Sequence, residues 1–293
     1  MKVKRFCSVC MAGIAATWGM APLYAQVASR EAAMAGQAMP VSANATYADL
    51  VDLADEASDI AVIKIRKQAI LEPARSPGLR PGYARAYIAG QVQQPMRGSL
   101  AVKQSVRYLV DIPALSDGST RSLKGEQVAV FAREVPGKPS DLQLVSPYAQ
   151  IPASAGMLQQ LQTILDEMAA PDAPPRVRGV RDIISVPGNL TGESETQLFL
   201  VTDSQEAPLV SIVRRPGMAP QWGVAWGELV DGTGGPPAPN TLAWHRLACS
   251  LPPHIPAGAN LGASEEAITQ ARADYALILR ALGPCPRSGI MAR

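Results

Sequence analysis

The sequence predicts an α+β protein of two small strand-rich units, the first an antiparallel curled sheet or barrel, the second an antiparallel sheet followed by two C-terminal helices. Three observations predict it. Two blocks of period-two alternation are punctuated by proline and glycine turns. A helical stretch and a proline cluster lie between them, and the chain returns to helical spacing after residue 240.

The first element is a short amphipathic helix. Thr46 and Asp49 form an S/T-x-x-D capping signal, and Tyr47, Leu50, Val51 and Ala54 recur at helical spacing with Asp52, Asp55 and Glu56 opposite. Those acids invite a metal-site reading, but an exposed acidic face near a helix N-terminus is the reading favoured here. Strand-like runs follow at Ile60 to Ile65, Tyr83 to Val92, Ser105 to Ile112, Gln127 to Arg133 and Leu142 to Val145, with turn clusters such as Ser76-Pro77-Gly78 and Pro136-Gly137 between them. Five short strands fit an oligonucleotide-binding type of barrel, but few aromatics are on offer for base stacking, so that function is not carried over.

Ser154 caps a helix with Met157, Leu158, Leu161, Ile164, Leu165 and Met168 on one face, and Pro171 to Pro175 stops it and marks a domain boundary. Strands are expected again at Val180 to Val186, Gln197 to Thr202, Leu209 to Arg214 and Trp222 to Leu229. The loop Asp231 to Asn240 then leads to a helix with Trp244, Leu247, Ala248 and Leu251 on one side. A last helix, Ser264 to Leu282, ends at Gly283-Pro284.

The N-terminus reads as a secretory signal: Lys2, Lys4 and Arg5, an apolar run from Phe6 to about Met20, and a breaker stretch before Gln26. The run falls short of the roughly 20 residues that span a bilayer, so removal after Ala25 is expected rather than anchoring. Lipid attachment at Cys7 or Cys10 is rejected, because both precede most of the apolar run. The expected layout is a signal at 1–25, a disordered lead-in at 26–45, a helix plus barrel or sheet at 46–153, a connecting helix and proline-rich linker at 154–175, and the second sheet with its helices at 176–293.

Removing the signal takes away three positive charges and no negative ones, so a chain of net charge +2 becomes one of about −1. A near-neutral protein has nothing to favour a phosphate backbone, and nucleic acid is excluded as a partner on that ground. The mature chain keeps Cys249 and Cys285 alone, an even count in an oxidising compartment, and they are expected to pair.

No catalytic constellation stands out. Gly192-Glu193-Ser194-Glu195 lacks the second glycine of a nucleophile elbow and precedes a strand. His245 and His254 belong to no HExxH motif, no CxxC pair is present, and His245 reads as a helix-surface or capping residue. Asp231-Gly232-Thr233-Gly234-Gly235 superficially resembles a phosphate loop, but Pro236-Pro237 follows it and a surface turn is the simpler reading. No metal or cofactor is expected. The segment Gln221 to Gly227 has a recognisable geometry: as a strand it sets Trp222, Val224 and Trp226 on one face and Gly223, Ala225 and Gly227 on the other. Trp222 and Trp226 are candidate ligand residues for a sugar ring of the envelope, the bare glycine face could accept another backbone, and core filling is the favoured role for the indoles.

The stretches VRYLVDIP (106–113), VPGNLTGESETQLFLVT (186–202), LAWHRLACSLP (242–252) and LGPCPR (282–287) resemble exported, signal-bearing proteins of alphaproteobacterial type, a family without an assigned activity. The resemblance implies export and an intact disulfide and transfers no site residue. The expected function is non-catalytic binding or structural association in the periplasm or cell envelope, with an envelope protein or glycan as partner and no transmembrane segment in the mature chain. The alternative is a glycan-acting hydrolase whose carboxylate pair meets only in the fold.

Overall fold

A long second strand of alternating burial runs beside a first strand whose first half is buried on both faces, and this pair starts a closed barrel. The computed structural model describes residues 45–204, 208–227 and 234–290. The signal segment, all but the last residue of the lead-in, residues 228–229 of the expected last strand and residues 231–233 of the glycine loop lie outside the described residues.

Helix α1 (Tyr47–Glu56) precedes strands β1 (Asp59–Ile70), β2 (Tyr83–Arg97), β3 (Ser105–Pro113), β4 (Gln127–Val135), β5 (Lys138–Leu144) and β6 (Gln150–Pro152). Helix α2 (Ala155–Ala169) leads to β7 (Val177–Pro187), β8 (Ser194–Thr202), β9 (Leu209–Arg214) and β10 (Gln221–Ala225), and the chain ends with α3 (Leu242–Ala248) and α4 (Glu265–Leu282). The fold is α+β, with a five-stranded barrel, an antiparallel sheet and two C-terminal helices, as the patterning predicts.

Strand β1 closes the barrel because it pairs on both sides. Its first half lies between β2 and β4, with Ile63 opposite Val92 on one side and Val128 on the other. The barrel runs β1-β2-β3-β5-β4 and back to β1, with β3 and β5 parallel, while β6 pairs with β4 on the edge opposite β1, continuing the line of β5. Irregularities in the β1–β2 register at Ile60, Val62 and Ile65 bend β1 enough to turn this corner. Gly90 permits the close approach: a Cβ there would stand 2.4 Å from the Ile63 side chain.

The second sheet is a meander, β10-β9-β8-β7. Its core face, Ile183, Leu198, Val210 and Ile212, is buried, and α4 packs on β7 and β8. Helices α1, α2 and α3 pack on one another, α1 also meets β4, and buried residues of both sheets belong to one continuous core. Burying each of its Leu and Ile side chains contributes roughly 1.5–3 kcal/mol relative to exposure.

The acidic face of α1 is not exposed, which corrects the expectation from the sequence. The capping box forms, with the Asp49 N–H donating to Thr46 Oγ1 at 3.1 Å and the Thr46 N–H donating to Asp49 at 2.8 Å. Beyond it, Asp52 meets His245 Nε2 at 3.0 Å and Arg287 Nε at 2.7 Å. Asp55 takes both terminal nitrogens of Arg246, one at 3.0 Å, and Arg176 Nε at 3.2 Å, while Glu56 accepts from Arg133 at 2.6 Å. His245 is accordingly buried at 3% exposure rather than on the surface. Burial pushes the Asp52 carboxyl up, but the hydrogen bonds from His245 and Arg287 outweigh it and hold the group below the ordinary carboxylate range.

The disulfide Cys249–Cys285 forms, with Cα atoms 5.2 Å apart and the partners 36 positions apart in sequence, and closing such a loop stabilises by about 4 kcal/mol in the chain-entropy model. From it the C-terminal residues run across α1. Thr46 Oγ1 donates to the Pro286 carbonyl at 2.9 Å, the Ser288 N–H donates to Asp49 at 3.0 Å, and Ser146 Oγ donates to the carbonyl of Ile290.

Candidate functional site

Alternation in β2 and β3 sends Ala86, Ile88, Val106, Tyr108 and Val110 into the barrel and the odd-numbered residues outward. Polar side chains are the rule on an outward face, and Arg85, Gln91, Ser105 and Arg107 follow it. Tyr87 and Leu109 do not. They are directly opposite each other, Ala69 of β1 pairs with Tyr87 on its other side, and Tyr87 and Leu109 are 37% and 46% exposed.

The connection from β1 to β2 builds a wall beside this row. Ile70 ends β1 in an exposed position, and Pro73–Arg75 forms a single 3₁₀ turn that places Glu72 and Arg75 along the same edge. On the opposite side Arg107 pairs with Asp141 of β5 at 2.5 Å. The result is a groove of about 640 Å³ with an apolar floor of Ile70, Tyr87 and Leu109 and charged sides of both signs. Beneath it burial drives the Tyr108 phenol upward from its ordinary value, and its O–H donates to Gln150 at 2.8 Å, so this residue braces the floor rather than meeting a ligand.

The arrangement can hold one face of a ring against Tyr87 while Arg75, Glu72, Arg107 and Asp141 satisfy hydroxyls at its rim. General acid catalysis requires a carboxyl in a desolvated setting. Glu72 is solvent-exposed and Asp141 is engaged by Arg107, so neither has one. Among the described residues no group of three or more His, Cys, Asp and Glu side chains is arranged to hold a metal ion.

The residues singled out from the sequence fall elsewhere. Trp222 and Trp226 are both half-buried against the core. Trp222 sits opposite Ile212 on the core face of the second sheet, but the strand stops at Ala225, opposite Leu209, because Leu209 is where β9 begins and the ladder has no further partner. Trp226 is thus outside the strand, and no ring contact joins the two indoles among the described residues. The bare glycine face does accept a backbone, and it is the protein's own: Val224 N–H donates to the Gly234 carbonyl at 3.1 Å, and a Cβ on Gly223 would stand 1.6 Å from that oxygen.

Ser194 lies buried in β8 with no hydrogen bond to either histidine, and His254 is exposed. These three residues form no nucleophile–base pair. The Tyr87–Leu109 row was not picked out from the sequence, although the signal is there: two large apolar side chains at outward positions of adjacent strands.

Among the described residues no helix is long and apolar enough to cross a membrane. No protein-family model matches the chain, and no curated protein matches it.

Proposed function

We propose that the protein is an exported, non-catalytic binding protein of the cell envelope that holds a glycan in the groove between the β1–β2 connection and β5. The N-terminal signal pattern, with removal after Ala25, and the Cys249–Cys285 disulfide support an oxidising compartment outside the cytoplasm. The observation that carries the ligand assignment is the exposed Tyr87–Leu109–Ile70 floor with Arg75, Glu72, Arg107 and Asp141 at its sides.

A neutral, hydroxyl-rich polymer fits this chemistry better than a polyanion. Tyr87 is the one exposed ring on the floor, whereas single-stranded nucleic acid is bound by successive stacked bases along a cationic track. Here Arg107 is already neutralised by Asp141. Oligosaccharide binding on the outer strands of five-stranded barrels is a known use of such a fold, and that is support by analogy of fold.

Isothermal titration with solubilised glycan fragments of the envelope tests the reading. Wild type is expected to bind saturably and Tyr87→Ala about fivefold more weakly, the loss of one ring-stacking contact of roughly 1 kcal/mol. Equal affinity of the two proteins would overturn it.

A further inference from the structure

The end of the barrel where β3 stops and β4 starts holds a second cavity, of about 420 Å³, which shares no lining residue with the groove. The connection between those strands contains no helix to cover this end. Its walls are apolar, with Val110, Ile112, Leu123, Val128 and Ile151 among them. One further wall residue comes from the far end of the chain: Ile290, 1% exposed and held through its carbonyl by Ser146.

The charged and amide side chains that reach this space are already partnered. Asp111 is gripped by Arg85 through two bonds of 2.7 and 2.9 Å, Gln150 accepts from Tyr108 at 2.8 Å, and Arg121 pairs with Glu126 at 2.9 Å. A cavity most of whose polar groups are engaged elsewhere offers water few bonds, and it gains from receiving hydrocarbon at about 0.8 kcal/mol per buried CH₂. Its volume lies within the range of small-molecule sites, roughly 300–1,000 Å³.

The chemistry at the margin distinguishes one class of apolar ligand from another. The Arg80 guanidinium stands 5.0 Å over the ring of Tyr148, which lines the cavity, and no ion pair joins it to a carboxylate among the described residues. A cationic head would meet repulsion there, and an anionic head attraction.

We propose that this cavity binds the hydrocarbon end of an acidic amphiphile, an aliphatic chain bearing a carboxylate, with the head group meeting Arg80 at the margin. Leu115, 55% exposed, lies at the opening, so a larger residue there obstructs the cavity without disturbing the core.

The experiment is calorimetric titration of the disulfide-intact protein with decanoate, decan-1-ol and decyltrimethylammonium, each below its micelle concentration. Decanoate is expected to saturate at one equivalent, decanol to bind about threefold more weakly and the ammonium more weakly still, the size of an exposed ion-pair contribution. Arg80→Gln should bring decanoate to the affinity of decanol and leave decanol unchanged. Leu115→Trp should weaken both by ~10-fold or more, with far-UV circular dichroism and Tm unaltered. Failure of decanoate to saturate overturns the proposal. So does an Arg80→Gln protein that still prefers decanoate, whatever the behaviour of the Leu115 variant.

Discussion

The charged seam along α1 and the polar patch beneath α4 both set carboxylates against arginine, yet they differ in reach and in redundancy. The seam joins residues up to 235 positions apart, as in Arg287 to Asp52, with Arg246 to Asp55 at 191 and Arg133 to Glu56 at 77, whereas the patch joins Arg214 to Asp274 across 60 positions. In the seam each acid has two basic partners: Asp52 has His245 and Arg287, Asp55 has Arg246 and Arg176, and Glu56 has Arg133 and Arg176. In the patch the fully buried Asp274 has one, Arg214 at 2.6 Å, with Gln270 at 3.1 Å and the hydroxyl of Thr196 filling its remaining positions. Loop-closure entropy grows only slowly with length, so long reach costs the seam little. The difference in stability therefore follows from the number of cations, and the shorter-range patch is the more brittle of the two.

Substitution breaks or sharpens this contrast, with the largest effect expected at Arg214. Arg214→Leu leaves Asp274 buried with no cation and should cost about 3–5 kcal/mol of unfolding free energy, measured by urea denaturation. Arg246→Leu should cost about half as much, because Arg176 stays beside Asp55 at 3.2 Å. The reverse order in the two denaturation midpoints would show that redundancy does not protect the seam.

A smaller effect is expected from Asp52, and it depends on pH. Its folded-state carboxyl titrates below the ordinary value because His245 and Arg287 bond the charged form, even against the opposing influence of burial. A depressed pKa contributes stability that is complete above the unfolded value of about 3.9 and is lost as pH falls through the folded value. Asp52→Asn should thus destabilise the protein at pH 7 and flatten the fall in Tm below about pH 4. An Asn variant with the same acid profile as wild type would place that loss on other groups.

These two regions also mark how far the sequence could be read. Strands were legible because alternation is local, and β9 matches its expected bounds of Leu209 to Arg214. β6 escaped notice since three residues, Gln150 to Pro152, are too few to show a period. The capping box at Thr46 and Asp49 was legible for the same local reason, while the pairing of Asp52 and Asp55 with the buried His245 and with Arg246 was not, because those partners are nearly 200 residues away. Helical spacing marks which face is polar but not whether another helix supplies arginines to meet it. Trp222 and Trp226 drew attention as the largest side chains in a strand-like run, yet the floor of the groove is made by Tyr87 and Leu109, ordinary residues notable only for facing outward. Seeing that required the register between β2 and β3, which no single strand contains.

Where a glycan touches the surface decides between the groove and every other face of the protein. The most direct measurement is backbone chemical-shift mapping of the isotope-labelled protein during titration with solubilised envelope glycan. Shifts gathered on residues 69–72, 87, 107–109 and 141 are the predicted result. Shifts gathered instead around Trp222 and Gly235, or none at saturating glycan, would contradict it.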